Sequence, residues 1–302
     1  MPIQSAPVQS AIIGGSSGFR FLDEHGAALK ALGPVSTPFG NSAPVYCGSS
    51  SGVEFLFISR HGERGYDLTA SFVNYRANIW ALKDFGVERI IAWSGPAAID
   101  PAIEIGEIVV PGDLADETKR RDYTFFEGLG LGFIRQSPTF CPELSGALTA
   151  AIRDRFGHCR TDGVYVCTEG PRLETAAEIR KFAAYGGTLV GMTLVPEVFL
   201  AKELEMCYAA VCYTTNYAEG VRKRSFRAGI LFEGLTDDAE ARVVDEAAEV
   251  VGALALSALA QAAGKPRSCA CPKLMERYRL RGDIGDDWRT WIVPHRPEDP
   301  EA

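Results

Sequence analysis

VYVCTEGPRLETAAEIRKFAAYGGTLVGMTLVPEVFLAKELEMCYAAVCYTTNYA, residues 164–218, sets the fold class of the whole chain. Three β-prone runs, 164–167, 188–190 and 207–213, alternate with two segments that are apolar at helical spacing, 174–185 and 196–204. Pro196 suits the first turn of the second helix. This alternation predicts a layered α/β sheet whose strand ends face a pocket. Polar residues gather where the apolar runs stop: Glu169, Arg172, Glu174, Met192-Thr193, Glu197 and Asn216. The chemistry is expected there.

Outward from that stretch, 302 residues with 46% apolar and 23% charged composition suffice for one α/β domain with a full core. A formal net charge of -8 disfavours nucleic acid as a partner, although a small anion can still be held locally. No apolar run reaches the roughly 18 residues of a membrane span, and the opening MPIQSAPVQS has no signal-peptide character. The cytoplasm is the expected compartment. Of the eight cysteines, Cys47, Cys141, Cys159, Cys167, Cys207 and Cys212 read as buried small apolar residues. Cys269-Ala270-Cys271 is a closer pair, but a metal site needs a second ligand pair, and the nearby tail offers only His295.

Upstream, AIIGGSSG at 11–18 is a strand entering a Gly/Ser turn, either an ordinary first turn or a backbone that holds a phosphate. It matches neither a dinucleotide fingerprint nor a Walker loop. The strand 53–58 ends in Ser59-Arg60-His61-Gly62, a cation and an imidazole placed to meet an anion or to serve as a surface Arg beside a structural His. Residues 71–86 predict an amphipathic helix carrying Asn74 and Arg76, 89–94 a buried strand, and 108–110 a short one. The turn-rich, aromatic segment 119–142 reads as a loop over a pocket or interface. Helices are predicted at 144–156 and 236–263, the latter opened by Thr236-Asp237-Asp238. In the tail, Trp288 and Trp291 are expected to pack locally, and PHRPEDPEA to be disordered.

Six of these stretches, in order, carry a resemblance: IIGGSSG at 12–18, RHG at 60–62, VNYRANIWAL at 73–82, EGPRLETAAEIR at 169–180, MTLVPEVFLAKE at 192–203 and TNYA at 215–218. Together the chain resembles the methylthioadenosine phosphorylase branch of the trimeric purine nucleoside phosphorylases, which cleave a purine nucleoside with inorganic phosphate. The resemblance implies a single α/β domain over 1–264, with a mixed, partly barrel-like central sheet flanked by helices, and an extension over 265–302. It also implies a homotrimer, or a dimer of trimers, with no metal or organic cofactor and inorganic phosphate as co-substrate. Phosphate would be held by Ser16, Arg60, His61, Ser94, Gly95 and Thr193, with Arg60 supplying the permanent charge and Met192 lying under the ribose.

At the base end, adenine-preferring members of that family carry Asp at the positions of Asn216 and Ala218 and Ser at that of Glu174. A 6-oxo group accepts hydrogen bonds, which suits the amide NH2 of Asn216, and 6-oxopurines carry the N1–H that a Glu174 carboxylate accepts. Both positions therefore favour inosine, guanosine or methylthioinosine, with Asn216 stabilising the departing base. Methylthioadenosine phosphorolysis and a catalytically silent purine-binding protein are the alternatives; a hydrolase fits less well, because an anion cradle would have no role. At the 5′ end, Ile230, Leu231 and Phe232 are apolar candidates. The chain departs from the family in lacking the second His after RHG, where GERGYDLTAS stands, and in carrying Ala97-Ala98 for Gly-Ser and Phe133 near the place of a neighbouring subunit's His. The turn GGSSG leaves open whether Ser16 or Ser17 enters the cradle.

Overall fold

The computed structural model describes residues 8–25, 28–229 and 234–292. In chain order its elements begin with β1 (Ser10–Gly14), α1 (Gly18–His25), β2 (Lys30–Gly33), β3 (Ser36–Thr37), β4 (Gly40–Asn41), β5 (Val45–Ser50), β6 (Val53–Ser59), α2 (Tyr75–Asp84) and β7 (Arg89–Ser94). They continue with β8 (Ala97–Ala98), β9 (Ile108–Val109), β10 (Asp113–Glu117), α3 (Pro142–Phe156), β11 (Val164–Thr168), α4 (Ala176–Ala184) and β12 (Leu189–Gly191). The last are α5 (Glu197–Glu203), β13 (Cys207–Tyr213), β14 (Asn216–Tyr217), α6 (Asp238–Ala262) and α7 (Glu276–Arg281).

The mixed sheet flanked by helices is present as expected, and its strands hydrogen-bond in two large groups beside the small β3-β4 pair. One has the order β2-β5-β6-β1-β7-β13-β9, the other β10-β11-β12-β8-β14. In the first, β6, β1, β7 and β13 run parallel, so Gly14, Ser59, Ser94 and Tyr213 finish at the same end. The chain crosses between sheets twice at that end, from β7 to β8 through Gly95-Pro96 and from β13 to β14 through Thr214-Thr215. Ligands of open α/β sheets collect beyond the carboxyl ends of parallel strands, and here two sheets deliver such ends to one place.

Apolar residues on both faces of the larger sheet make a core on each side. Helices α2 and α5 cover one face through Ile79, Leu82, Val198 and Leu200; α1, α3 and α6 cover the other through Phe21, Leu148, Val251 and Leu254. The extension is part of this body. Met275, Tyr278 and Trp291 are buried in the first core, and Trp288 stands edge-on to Trp80 with ring centroids 4.6 Å apart, so these residues pack on α2 and not only on the tail. Residues 294–302 lie outside those described.

Local caps explain where the helices differ from expectation. Thr175 caps α4 in a reciprocal box with Glu178, so the helix starts at Ala176 and leaves Glu174 outside it. Asp237 and Glu240 form the same box at α6, a feature worth about 1 kcal/mol. Asn74 caps α2 and donates to Phe39 O, while Arg76 pairs with Asp122 and Glu127. Neither faces the strand-end cavity. Pro196 occupies the N-cap of α5 and not its first turn.

Candidate active site

A cavity of about 380 Å³ opens where the two sheets present their strand ends. Of the residues expected to hold substrate, Ser16, His61, Glu174, Met192, Thr193, Ser94, Gly95, Asn216 and Ala218 all line it. Arg60 does not.

At one end the cavity is walled by hydroxyls. Ser94 Oγ lies 3.0 Å from both Thr193 Oγ1 and Tyr165 Oη, and Ser16 Oγ lies 3.2 Å from Tyr213 Oη. Tyr165 and Tyr213 belong to two of the β-prone runs and to no motif; a tyrosine in a strand that ends at the pocket is the available signal. Burial pushes the Tyr165 phenol well above its ordinary range, so it stays a protonated partner for the smaller hydroxyls. Ser16 is the cavity residue of the GGSSG turn. Ser17 is buried, and its hydroxyl makes no hydrogen bond among the described residues. The turn passes so close to β7 that a Cβ on Gly15 would come 2.5 Å from Trp93 O.

His61 is buried, and its Nδ1 lies 2.9 Å from Leu68 O. A carbonyl only accepts, so Nδ1 carries the hydrogen and Nε2 keeps its lone pair. Burial first, and then the neighbouring Arg60 charge, lower its pKa to about 4. The imidazole is neutral at physiological pH. Tyr66 and Thr69, from the GERGYDLTAS loop, complete this wall, and the Thr69 hydroxyl is buried without a partner among the described residues.

Arg60 departs from the expected direct contact. Its Nε and Nη2 donate to the two oxygens of Glu197 at 3.0 and 2.6 Å, and Nη1 donates to Trp93 O at 2.9 Å. Neither side chain of the pair is exposed. Tyr208 Oη also donates to Glu197, at 2.5 Å. Glu197, 137 residues away in sequence, claims the guanidinium and holds it behind the Gly14-Gly15 turn. Arg60 therefore braces the ends of β1 and β7 from beneath the cavity wall.

At the other end, Asn216 Oδ1 accepts from Thr215 Oγ1 at 2.8 Å, while its NH2 donates to Tyr217 O at 2.9 Å and retains a second hydrogen. Glu174 Oε1 accepts from Thr168 Oγ1, leaving Oε2 without an internal donor among the described residues. Between the two ends lies Met192, seated on Gly170, whose positive φ of 68° and missing Cβ make room for the thioether. Leu173, Val190 and Leu235 add apolar walls, and His61 is the cavity's sole histidine among the described residues. The apolar candidates Ile230, Leu231 and Phe232 lie outside them.

Besides Glu197, two more of the polar strand-end residues serve structure. Glu169 accepts from Lys119 N and Arg120 N and lies 3.6 Å from Arg121, anchoring the long loop. Arg172 pairs with Glu178 at the surface.

Comparison with known proteins places this geometry among relatives. The family model described as "Phosphorylase superfamily" matches residues 9–260. The 6-oxopurine nucleoside phosphorylase of Pyrococcus furiosus is 38% identical over 268 residues, covering 86% of this chain and 95% of that protein. A Methanothermobacter thermautotrophicus protein named "Probable S-methyl-5'-thioinosine phosphorylase" is 40% identical over 234 residues, covering 78% and 80%. Among solved structures, a methylthioadenosine phosphorylase from an antarctic soil metagenomic library superposes with a TM-score of 0.78 at 27% identity, covering 89% of this chain and 91% of the other.

Proposed function

The chain belongs to the phosphorylase superfamily, and from that premise we propose that it is a purine nucleoside phosphorylase selective for 6-oxopurines. The reaction joins a phosphate oxygen to C1′ as the C1′–N9 bond breaks, and the bond's electron pair passes into the departing base. Two demands follow: a nucleophile held on one face of the sugar, and stabilisation of charge on the purine.

Ser16, Ser94, Gly95, Thr193 and His61 take the phosphate end. Hydroxyls and backbone N–H groups donate to the anion, while His61 Nε2 accepts from a phosphate oxygen that carries a proton. Arg60 acts as a positioning residue, fixing the turn from which Ser16 projects. The ribose lies over Met192. Asn216 donates its second amide hydrogen to N7 or O6 of the leaving base, and Glu174 Oε2 accepts N1–H. Ala218 leaves space where a further carboxylate would suit a 6-amino group.

The single observation that carries this reading is that Glu174 and Asn216 line one cavity with their hydrogen-bond senses already set: Thr215 holds the amide oxygen and Thr168 holds one carboxylate oxygen. Adenine presents a lone pair at N1 and donors at its 6-amino group, the opposite senses. Apolar walls and the lack of a second lining histidine among the described residues favour a methylthio group at the 5′ end, making methylthioinosine a substrate alongside inosine and guanosine. Methylthioadenosine phosphorolysis is the second reading, supported by the likeness to methylthioadenosine phosphorylases. A homotrimer in the cytoplasm, with exposed Phe72 and Phe133 as candidate subunit contacts, belongs to the same proposal.

Incubation with inosine, guanosine, methylthioinosine and methylthioadenosine, with and without phosphate, tests it by release of free base. Phosphate-dependent release from the first three supports the reading. Release from methylthioadenosine alone overturns the base assignment, and release without phosphate overturns the phosphorylase.

A further inference from the structure

Four sulfurs from distant parts of the chain converge far from any role in phosphorolysis. Cys141 precedes the first residue of α3, Cys207 opens β13, and Cys269 and Cys271 lie in the extension. Their Sγ atoms all fall within 4.8 Å of one another, with Cys207 and Cys269 3.4 Å apart. None is joined in a disulfide. A second cysteine pair for Cys269-Ala270-Cys271 is thus supplied by folding, from positions more than 60 residues upstream.

We propose that these four cysteines bind one structural Zn²⁺. Zinc–thiolate bonds of about 2.3 Å in a tetrahedron put the sulfurs roughly 3.8 Å apart, which the cluster meets with small adjustments. Four thiolates and no open position make a closed, structural site. The surroundings suit it. Cys141 occupies the N-cap position of a 15-residue helix, whose dipole favours a thiolate. Cys141 N donates to Tyr208 O at 2.8 Å, joining the two buried ligands through the backbone. Lys202 lies within electrostatic reach of Cys271 and offsets part of the charge of a tetrathiolate. Arg267 Nη1 donates to Glu205 O and Met275 N to Glu205 Oε1, holding the cysteine pair from both flanks.

Binding converts four thiols to thiolates and releases four protons as Zn²⁺ is taken up, with no oxidation. The metal would clamp the extension to the junction of α3 and β13 while touching nothing in the cavity.

The test uses the full chain, reduced and stripped with a chelator. Added Co²⁺ should produce the thiolate charge-transfer and tetrahedral d–d bands at one equivalent, and Zn²⁺ should abolish them. Zn²⁺ should raise the melting temperature of the wild-type chain and leave a Cys269→Ser, Cys271→Ser variant unmoved. Both substituted residues are partly exposed, so the variant is expected to fold, and its circular dichroism checks this. Elemental analysis of the protein purified without chelator should find about one zinc per chain. Absence of cobalt bands with the thiols reduced, or a native mass lower by two or four hydrogens from disulfides, overturns the proposal.

Discussion

Arg60 and Glu197 face each other through two parallel hydrogen bonds, 3.0 and 2.6 Å long, with both side chains sealed from solvent. The pair joins the end of β6 to the start of α5 directly beneath the glycine turn. A charge in such a place is tolerated only because its partner is present.

Removing that partner should cost more than most substitutions. Glu197→Ala is expected to lose about 3–5 kcal/mol of unfolding free energy, seen as a lowered denaturant midpoint. An apolar double replacement, Arg60→Met with Glu197→Leu, should lose less than Glu197→Ala alone, because no charge is left stranded. A denaturant midpoint unchanged in Glu197→Ala would show that the ion pair does not hold the fold.

The amide of Asn216 is the second point of test. Asn216→Asp replaces a donor with an acceptor, and each misdirected bond at a buried polar site costs about 1–3 kcal/mol. Phosphorolysis of inosine should fall by roughly 10- to 100-fold in kcat/KM, while methylthioadenosine gains as a substrate. Equal hypoxanthine-to-adenine ratios in both proteins would mean that the residue does not read the base.

His61 makes stability depend on pH with a definite sign. Its folded pKa, about 4, lies below the ordinary 6.5, so the unfolded chain binds the proton more readily. The contribution is fully present above pH 6.5 and is lost as pH falls through 4, amounting to about 3 kcal/mol. Urea unfolding at pH 7.5 and 4.5 should show His61→Gln to have a shallower acid loss than wild type. Parallel losses in the two proteins would contradict the neutral buried imidazole.

Gly15→Ala isolates the turn. The new Cβ meets a backbone oxygen at 2.5 Å, which cannot swing aside as a side chain would, so the turn must shift and carry Ser16 with it. KM for phosphate should rise at least several-fold while KM for nucleoside changes little. An equal rise in both would place the turn outside the phosphate end.

Much of this arrangement was legible because periodic patterns report burial. Arg89–Ser94 and Cys207–Tyr213 agree with the sequence reading residue for residue, since a strand whose middle is unbroken apolar residues has only one place to go. Ala97–Ala98 and Asn216–Tyr217 left no pattern, as two residues define no period, and the acidic Asp113–Glu117 looks like loop although it pairs with β11. Five of the six motif stretches bring seven of the nine expected residues to the cavity, and Ser94 and Gly95 join them from the end of β7. The stretches could not reveal that Glu197 neutralises Arg60, because nothing local connects positions 60 and 197. Tyr66 and Thr69 give no signal for the opposite reason: their loop, GERGYDLTAS, matches no pattern and departs from the family.

A cavity whose nearest fixed cation is already spoken for must greet a dianion with oriented dipoles. Attraction of that kind acts over bond lengths and not across a Debye layer. Phosphate uptake should therefore hold nearly constant from dilute buffer to half-molar potassium chloride, where a lysine-lined funnel would falter.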